Sequence, residues 1–520
     1  MRKHAWFIGI FVFIAAARFA VLFASQTHVH SDEAIIGLMG KHILEGRPFP
    51  FYMYGQPYNA GAAWEAYLAS VAFFLFGVGV VPLKGCIVVL SLLCLFLFYR
   101  MGCALYDQRT AVLATVAFAL TPSLLKWHFQ VRGYSWYFLS IPVLTLLFAS
   151  IESTSIHKRR TLLLFGLASG LSIWCLELAV PLVAAFWLLL ILRRRISLSN
   201  APAVLAGFAL GYAPVIVFNL THRFSNWRYI AIERPGGGFS ALFQFSNWFR
   251  IFVDEMPKFF GPDTILWYYR AKPAVGYVSC TIALLALGVA MRPFVKSPGK
   301  ILRAMRGDLA DVRQQSDFDM VVLTAASFVP YVSQNPGVPS YFLGACFFLS
   351  MLAGRMLERG FFSSMPLPRL GAAAVLAGIL VMGFLVHIRV GQTRQIETLS
   401  LCEDKRTYCM ARISSADIDG LLRDLKERNV SSVWTTISFI YPLLFESGET
   451  LAVSNEIFEP PYRVYPEDMQ WREPKRDRDA AFVVETNAPL RSLTELRCEQ
   501  VFGSPPSAHE YGKLTVITNR

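Results

Sequence analysis

Asp32 and Glu33 stand side by side in HSDEAIIGLMGKHILEGRPFPFYMYGQPYNAGAAWEAYLASVAFFLFG, residues 30–77, just after a long apolar run. Two adjacent carboxylates have a plain use here. Ser31 can cap a helix running to about Leu44, and acidic residues in its first turn meet the positive end of the helix dipole. At a membrane face, however, ionisable groups also mark functional sites. Further along, Glu65 and Glu177 are acidic residues beside apolar segments, and Arg18 lies inside one, where a charge is costly and usually has a partner. Lys126 and Arg132 are the cations between two apolar runs, a position that ordinary snorkelling also explains. Tyr54, Gln56, Tyr58 and Trp64 have stacking and hydrogen-bonding character that suits sugars, and interfacial packing accounts for the aromatics equally well. His28, His30 and His128 are the nearby imidazoles, and no His/Asp/Glu spacing defines a metal site, so a divalent cation stays an open alternative for Glu65 and Glu177.

The elements that must position these residues are membrane spans. The chain has 520 residues, 54% of them hydrophobic and 16% charged, against about 25% charged in soluble domains. Its mean hydropathy is +0.44. So much apolar surface needs lipid as solvent. Eleven segments are candidates to cross a bilayer: about 5–24, 81–99, 110–125, 134–151, 161–176, 178–192, 202–220, 272–291, 319–334, 340–357 and 370–388. The first is long for a signal-peptide core and reads as an uncleaved span. The net charge of +13 could suggest nucleic acid, but the basic residues gather at the ends of apolar runs. With the N-terminus inside, the cytoplasmic segments hold nineteen Lys/Arg, and the short outer loops hold only Lys126 and Arg132. Arg160 and Arg193 enclose a mostly apolar stretch. A hairpin turning near Glu177 keeps both arginine clusters inside, and its short arms would leave an outer recess.

The expected organisation is a mainly α membrane module over 1–389, with outer loops at about 25–80 and 221–271, followed by an extracytoplasmic α/β domain over 390–520. In the first loop, residues 64–76 are apolar but too short to span, which suits an interfacial helix. The C-terminal part shows helix patterns at Ala416–Arg428 and Phe439–Glu446, and strand patterns at Ser432–Thr436, Ala480–Glu485 and Leu514–Thr518. Six of the nine cysteines lie in or beside apolar runs and read as packing residues. Cys402 and Cys409 could pair if their region is extracytoplasmic, leaving Cys498 over.

The 30–77 block resembles the GT-C glycosyltransferases, among them protein O-mannosyltransferases, lipid A aminoarabinose transferases and family-39-like bacterial relatives. The resemblance is carried by Arg18, Asp32-Glu33, Tyr54-Gly55-Gln56-Pro57-Tyr58, Glu65-Ala66-Tyr67-Leu68 and Phe76-Gly77. Weaker echoes follow at Pro122, Arg132 with Tyr134, Glu177 with Pro181, and Gly211 with Pro214 and Asn219. Many relatives carry Arg-Tyr-Leu-x-Pro at the start of a late span, where this chain reads Pro339-Ser340-Tyr341-Phe342-Leu343, without the Arg.

The resemblance implies a donor sugar on a polyprenyl monophosphate, used at the outer face of a bacterial cytoplasmic membrane. An acceptor hydroxyl on a glycan, lipid or protein would attack the anomeric carbon with inversion, and no nucleotide or nucleic acid is involved. Such a reaction needs a base for the hydroxyl and cations for the departing phosphate. The expected base is Asp32, with Glu33 its helper or structural partner. Arg132, Lys126 and Arg18 are expected for the phosphate, and Tyr54, Gln56, Tyr58, Glu65 and Glu177 for the sugar or acceptor. The competing reading is a transporter or flippase of lipid-linked glycans, which should show repeated halves and interrupted helices; no repeat is evident.

Overall fold

A computed structural model describes residues 4–25, 28–121, 128–153, 158–233, 242–259, 273–334, 341, 343–363, 366–392, 395–401, 408–454, 480–485, 507–511 and 514–518. Lys126, Pro122, Gly236–Gly238, Cys402, Cys498 and most of the Pro339–Leu343 stretch fall outside them, and so does the Cys402–Cys409 pairing.

Each expected apolar segment overlaps a helix among the described residues. In chain order these are α1 (Ala5–Ser25), α4 (Val80–Leu105), α5 (Gln108–Ala119), α6 (Ser135–Ser153), α7 (Lys158–Cys175), α8 (Val180–Leu192), α9 (Ala201–Thr221), α10 (Pro273–Val295), α12 (Val312–Gln334), α13 (Ala345–Phe361) and α14 (Pro366–Gln392). Two more, α2 (Ser31–Leu44) and α3 (Ala60–Phe76), fill the first loop, and α11 (Gly299–Arg306) turns by 102° from the end of α10. By length and apolarity, four of the described helices can cross a membrane: Ala5–Ala24, Val80–Leu105, Ser135–Ser153 and Ala201–Thr221, with a fifth if α10 and α11 count as one broken span. Large apolar side chains point outward from this bundle, including Trp6 at 80%, Phe13 at 73%, Phe74 at 75% and Phe76 at 75% exposed. A surface of that kind requires a nonaqueous surround, so this is an integral membrane protein.

The bundle has two polar ends. At one end Arg195 Nε lies 3.4 Å from Glu152, and Arg193 donates to Asp319 at 3.1 Å. There too Arg313 pairs with Asp107 at 2.9 Å, and Asp317 takes both Tyr106 (3.0 Å) and Arg359 (2.5 Å). At the other end lie the 30–77 block and residues 128–134. Arg195 meets Glu152, just before the Lys158–Arg160 cluster, so α7 and α8 leave and return on one side. A 3₁₀ turn at Glu177–Ala179 joins them. This is the hairpin that the charge pattern requires.

Within the bundle α7 and α9 approach backbone to backbone through two small-residue stripes, Gly166/Gly170 and Gly207/Gly211. A Cβ on Gly166 would sit 2.0 Å from Val204 O, and one on Gly207 would sit 2.0 Å from Leu163 O. Where lipid removes the hydrophobic drive between helices, such contact is how they hold together.

The C-terminal part begins with an antiparallel pair, β1 (Gln395–Leu401) and β2 (Tyr408–Ser414). A five-stranded mixed sheet follows, in the order β4 (Ala452–Ser454), β3 (Ser432–Thr435), β5 (Ala480–Glu485), β7 (Leu514–Thr518), β6 (Ser507–Tyr511). Strands β3, β4 and β5 are parallel, and β6 and β7 antiparallel. Helices α15 (Ser415–Glu427) and α16 (Ile437–Glu446) connect these strands. β3, β5 and β7 lie where the sequence pattern puts them. β1, β2, β4 and β6 are short or mixed in character and leave no clear alternation to read.

Candidate active site

The first turn of α2 is built differently from the expectation. The residue that caps it is His30, not Ser31: the His30 ring Nδ1 accepts the Asp32 N–H at 3.1 Å, and Glu33 Oε2 takes the His30 N–H at 3.0 Å. This is a reciprocal capping box with imidazole in place of a hydroxyl. It gives the two carboxylates different fates. Glu33 is buried. Its Oε1 also accepts Val131 N–H at 3.2 Å, and Lys84 of α4 lies 3.3 Å from its Oε2. Burial alone would raise its pKa, but the Lys84 charge, the His30 ring and the two backbone N–H groups outweigh burial and hold it below the ordinary value. Asp32, one residue earlier, is partly exposed.

Residues 131–134 form the other wall. Arg132 is buried, its guanidinium touches the His30 ring, and its carbonyl accepts the Asn59 amide at 3.3 Å. Gly133 adopts φ +83° and backs onto α3 so closely that a Cβ on Gly61 would sit 1.9 Å from Gly133 O. Its N–H donates to Glu65 Oε2 at 2.7 Å, and Ser135 N–H donates to Glu65 Oε1 at 3.1 Å. Both oxygens of Glu65 are thus spent on the start of α6, and the side chain is 1% exposed. Glu65 acts as a structural cap in this geometry. Its burial, only partly offset by those donors, raises its pKa to about 7.

The other expected sugar-binding residues divide among separate contacts. Tyr54 is buried against the His42 ring, its hydroxyl 3.4 Å from Nδ1. Gln56 closes a backbone turn onto Met53. Tyr58 stacks on Tyr229 at 4.6 Å, and Asn226 donates to Pro57 O at 2.6 Å, so part of the second outer region packs on the first loop. Glu177 sits partly exposed at the hairpin tip, beside Tyr52, whose hydroxyl is pushed well up by burial and then by that carboxylate. Trp64 packs against Trp136 and Trp174. Arg18 is fully buried between α1 and α4. It donates to Ser91 Oγ at 2.7 Å, while its Nε and Nη2 find no partner among the described residues. No described contact brings it to Asp32.

Two contacts at this end escaped the sequence reading. Lys84 looked like part of an apolar span, and its pairing with Glu33 is a contact between distant segments. His30 lacks the residue type expected of a cap. For metal, the described residues bring together His42, Glu45 and Glu449, with potential ligand atoms within 4.8 Å. The Lys41 ammonium already lies between the two carboxylates, 2.8 Å from Glu45 and in contact with Glu449, and meets their charge without an ion.

No protein-family model matches the sequence, and neither does any curated protein. Solved structures do match. ArnT from Cupriavidus metallidurans in the apo state superimposes with a TM-score of 0.54 at 13% identity, over 99% of this chain and 98% of that one. The same protein bound to undecaprenyl phosphate gives 0.53 at 14% identity, over the same shares. The Archaeoglobus fulgidus oligosaccharyltransferase, tethered with an acceptor peptide containing the NVT sequon, gives 0.50 at 10% identity, over 87% of this chain and 64% of that one. At these identities the likeness is one of fold, and it runs through both the bundle and the C-terminal sheet. The chain has the fold of these structures.

Proposed function

We propose that this protein is a membrane glycosyltransferase that moves a sugar from a polyprenyl-phosphate donor to an acceptor hydroxyl, inverting the anomeric centre, at the outer face of a bacterial cytoplasmic membrane. The observation that carries the reading is the inequality of the acidic pair within a full-length ArnT-like fold. Glu33 is sealed in a capping box and a buried ion pair, whereas Asp32 is left partly exposed, its N–H on the same His30 ring that the buried Arg132 touches. A general base must reach its substrate, and a structural carboxylate need not. Asp32 takes the hydroxyl proton as the acceptor oxygen bonds to the anomeric carbon. The carbon–phosphate oxygen bond breaks, and the lipid phosphate leaves carrying the negative charge. Phosphate is a far better leaving group than an alkoxide, so no acid is required. Arg132 is the described cation best placed to receive it. ArnT bound to undecaprenyl phosphate supports a lipid phosphate of this class as the donor's carrier.

The Arg-lined pole faces the cytoplasm, the 30–77 block and the C-terminal sheet face outward, and the eleven apolar helices are the spans. Deleting the protein from its cell and extracting lipids tests the reaction. A polyprenyl-phosphate sugar should accumulate while one surface glycan, lipid or protein loses that sugar. If lipid and surface profiles both match wild type, the proposal fails.

A further inference from the structure

The C-terminal part grips α2 along its length, and every charged contact has the same polarity. At the start of α2, Glu446 receives the His28 ring Nδ1–H at 2.7 Å on one oxygen and the Val29 N–H at 3.2 Å on the other. Asp419 of α15 faces the second ring nitrogen of His28 at 3.3 Å. Midway along α2, Phe445 lies so close to Gly37 that a Cβ there would be 2.5 Å from its ring, and Phe445 also packs on Phe73 of α3. At the far end Glu449, held at φ +64°, takes the Lys41 ammonium and the His42 Nε2 at 3.0 Å. These bonds outweigh burial and hold its carboxyl at about 2. The acids come from the C-terminal part and the bases from α2 and its approach. From the approach at residue 28 the contacts run to residue 42, covering about 16 Å of helix.

Glu446 differs from the rest in what it holds. Its two oxygens fix a side chain and a backbone N–H at residues 28 and 29, just before the capping residue. His30 in turn receives the Asp32 N–H and touches Arg132. We infer that Glu446 is a positioning residue for the reaction assigned above to Asp32: by clamping residues 28–29 it sets the direction of the helix start that bears Asp32, next to the His30 ring that Arg132 touches. The inference rests on the proposed role of Asp32. It makes the C-terminal part a component of the catalytic geometry.

Two measurements on the full-length protein test it. In lipid nanodiscs, Glu446→Ala should speed amide exchange over residues 28–34 by about tenfold, the loss of one or two hydrogen bonds. Glu446→Gln, which keeps an acceptor for the Val29 N–H, should restore most of the protection. In cells lacking the native protein, Glu446→Ala should cut the transferred sugar by about tenfold at wild-type protein levels. Binding of undecaprenyl phosphate, used as the probe, should stay unchanged, and the Gln variant should recover activity. Unchanged exchange overturns the clamp. Faster exchange with normal transfer overturns the positioning role. Asp32→Asn, run in parallel, separates the two readings: if it transfers normally, the base assignment has failed, whatever Glu446 does to the exchange.

Discussion

Lys84 and Glu33 are both nearly buried, and removing one would leave the other charged in a poor solvent. Breaking such a pair costs about 3–5 kcal/mol, most of it from the abandoned partner. Lys84→Met should therefore lower the thermal midpoint sharply, and Lys84→Met with Glu33→Gln should recover much of the loss in a double-mutant cycle. Equal loss in the single and double variants would show that the pair is not coupled. Glu65 gives a pH signature of opposite sign to that of an ordinary carboxylate. Its pKa is raised from 4.5 to about 7, so the folded state holds the proton more tightly than the unfolded chain. Its contribution is complete below pH 4.5 and is lost as pH rises through about 7. Melting between pH 5 and 8 should show a falling midpoint, and Glu65→Gln should flatten that fall; identical slopes would contradict the assignment. The sequence marked Asp32 and Glu33 as a pair, and only the resemblance gave them unequal roles. The partners of Glu33 were not legible, because Lys84 and Val131 reach it across long stretches of chain.

The α7–α9 contact depends on the absence of side chains. Gly207→Leu would drive a branched side chain into the Leu163 carbonyl and force the helices apart. The expected outcome is a large loss of folded protein in membranes, measured by resistance to protease, with Leu210→Ala on the exposed face as the neutral control. Normal folding of the Gly207 variant would mean that this packing is dispensable. Element positions were readable because apolar runs and their arginine boundaries are local signals. The hairpin at Glu177 followed from charge alone, and the Arg195–Glu152 pairing brings the end of α8 to the end of α6, shortly before α7 begins. Capping was less readable. His30 and Glu65 start α2 and α6, the second from 70 residues away, and no local rule identifies such a cap.

The whole molecule joins a helical bundle to a mixed sheet, and acids of the C-terminal part hold the helix that bears the acidic pair. The proposed orientation predicts that a reporter active only outside the cytoplasm will be active when fused after residue 395; a cytoplasmic signal would invert every assignment of face. The resemblance was legible because the 30–77 block carries its pattern within one loop. The sugar and acceptor were not, since no acceptor pattern is recognisable in residues 221–271 or the C-terminal part. The central claim is that Asp32, not Glu33, takes the proton of the acceptor. Asp32→Asn keeps the size and the helix start and removes the base, so it should abolish sugar transfer in cells lacking the native protein, with normal insertion and protein level. Mass analysis of the surface glycans is the direct test: unmodified acceptors are the predicted result, and glycans indistinguishable from wild type would contradict the account.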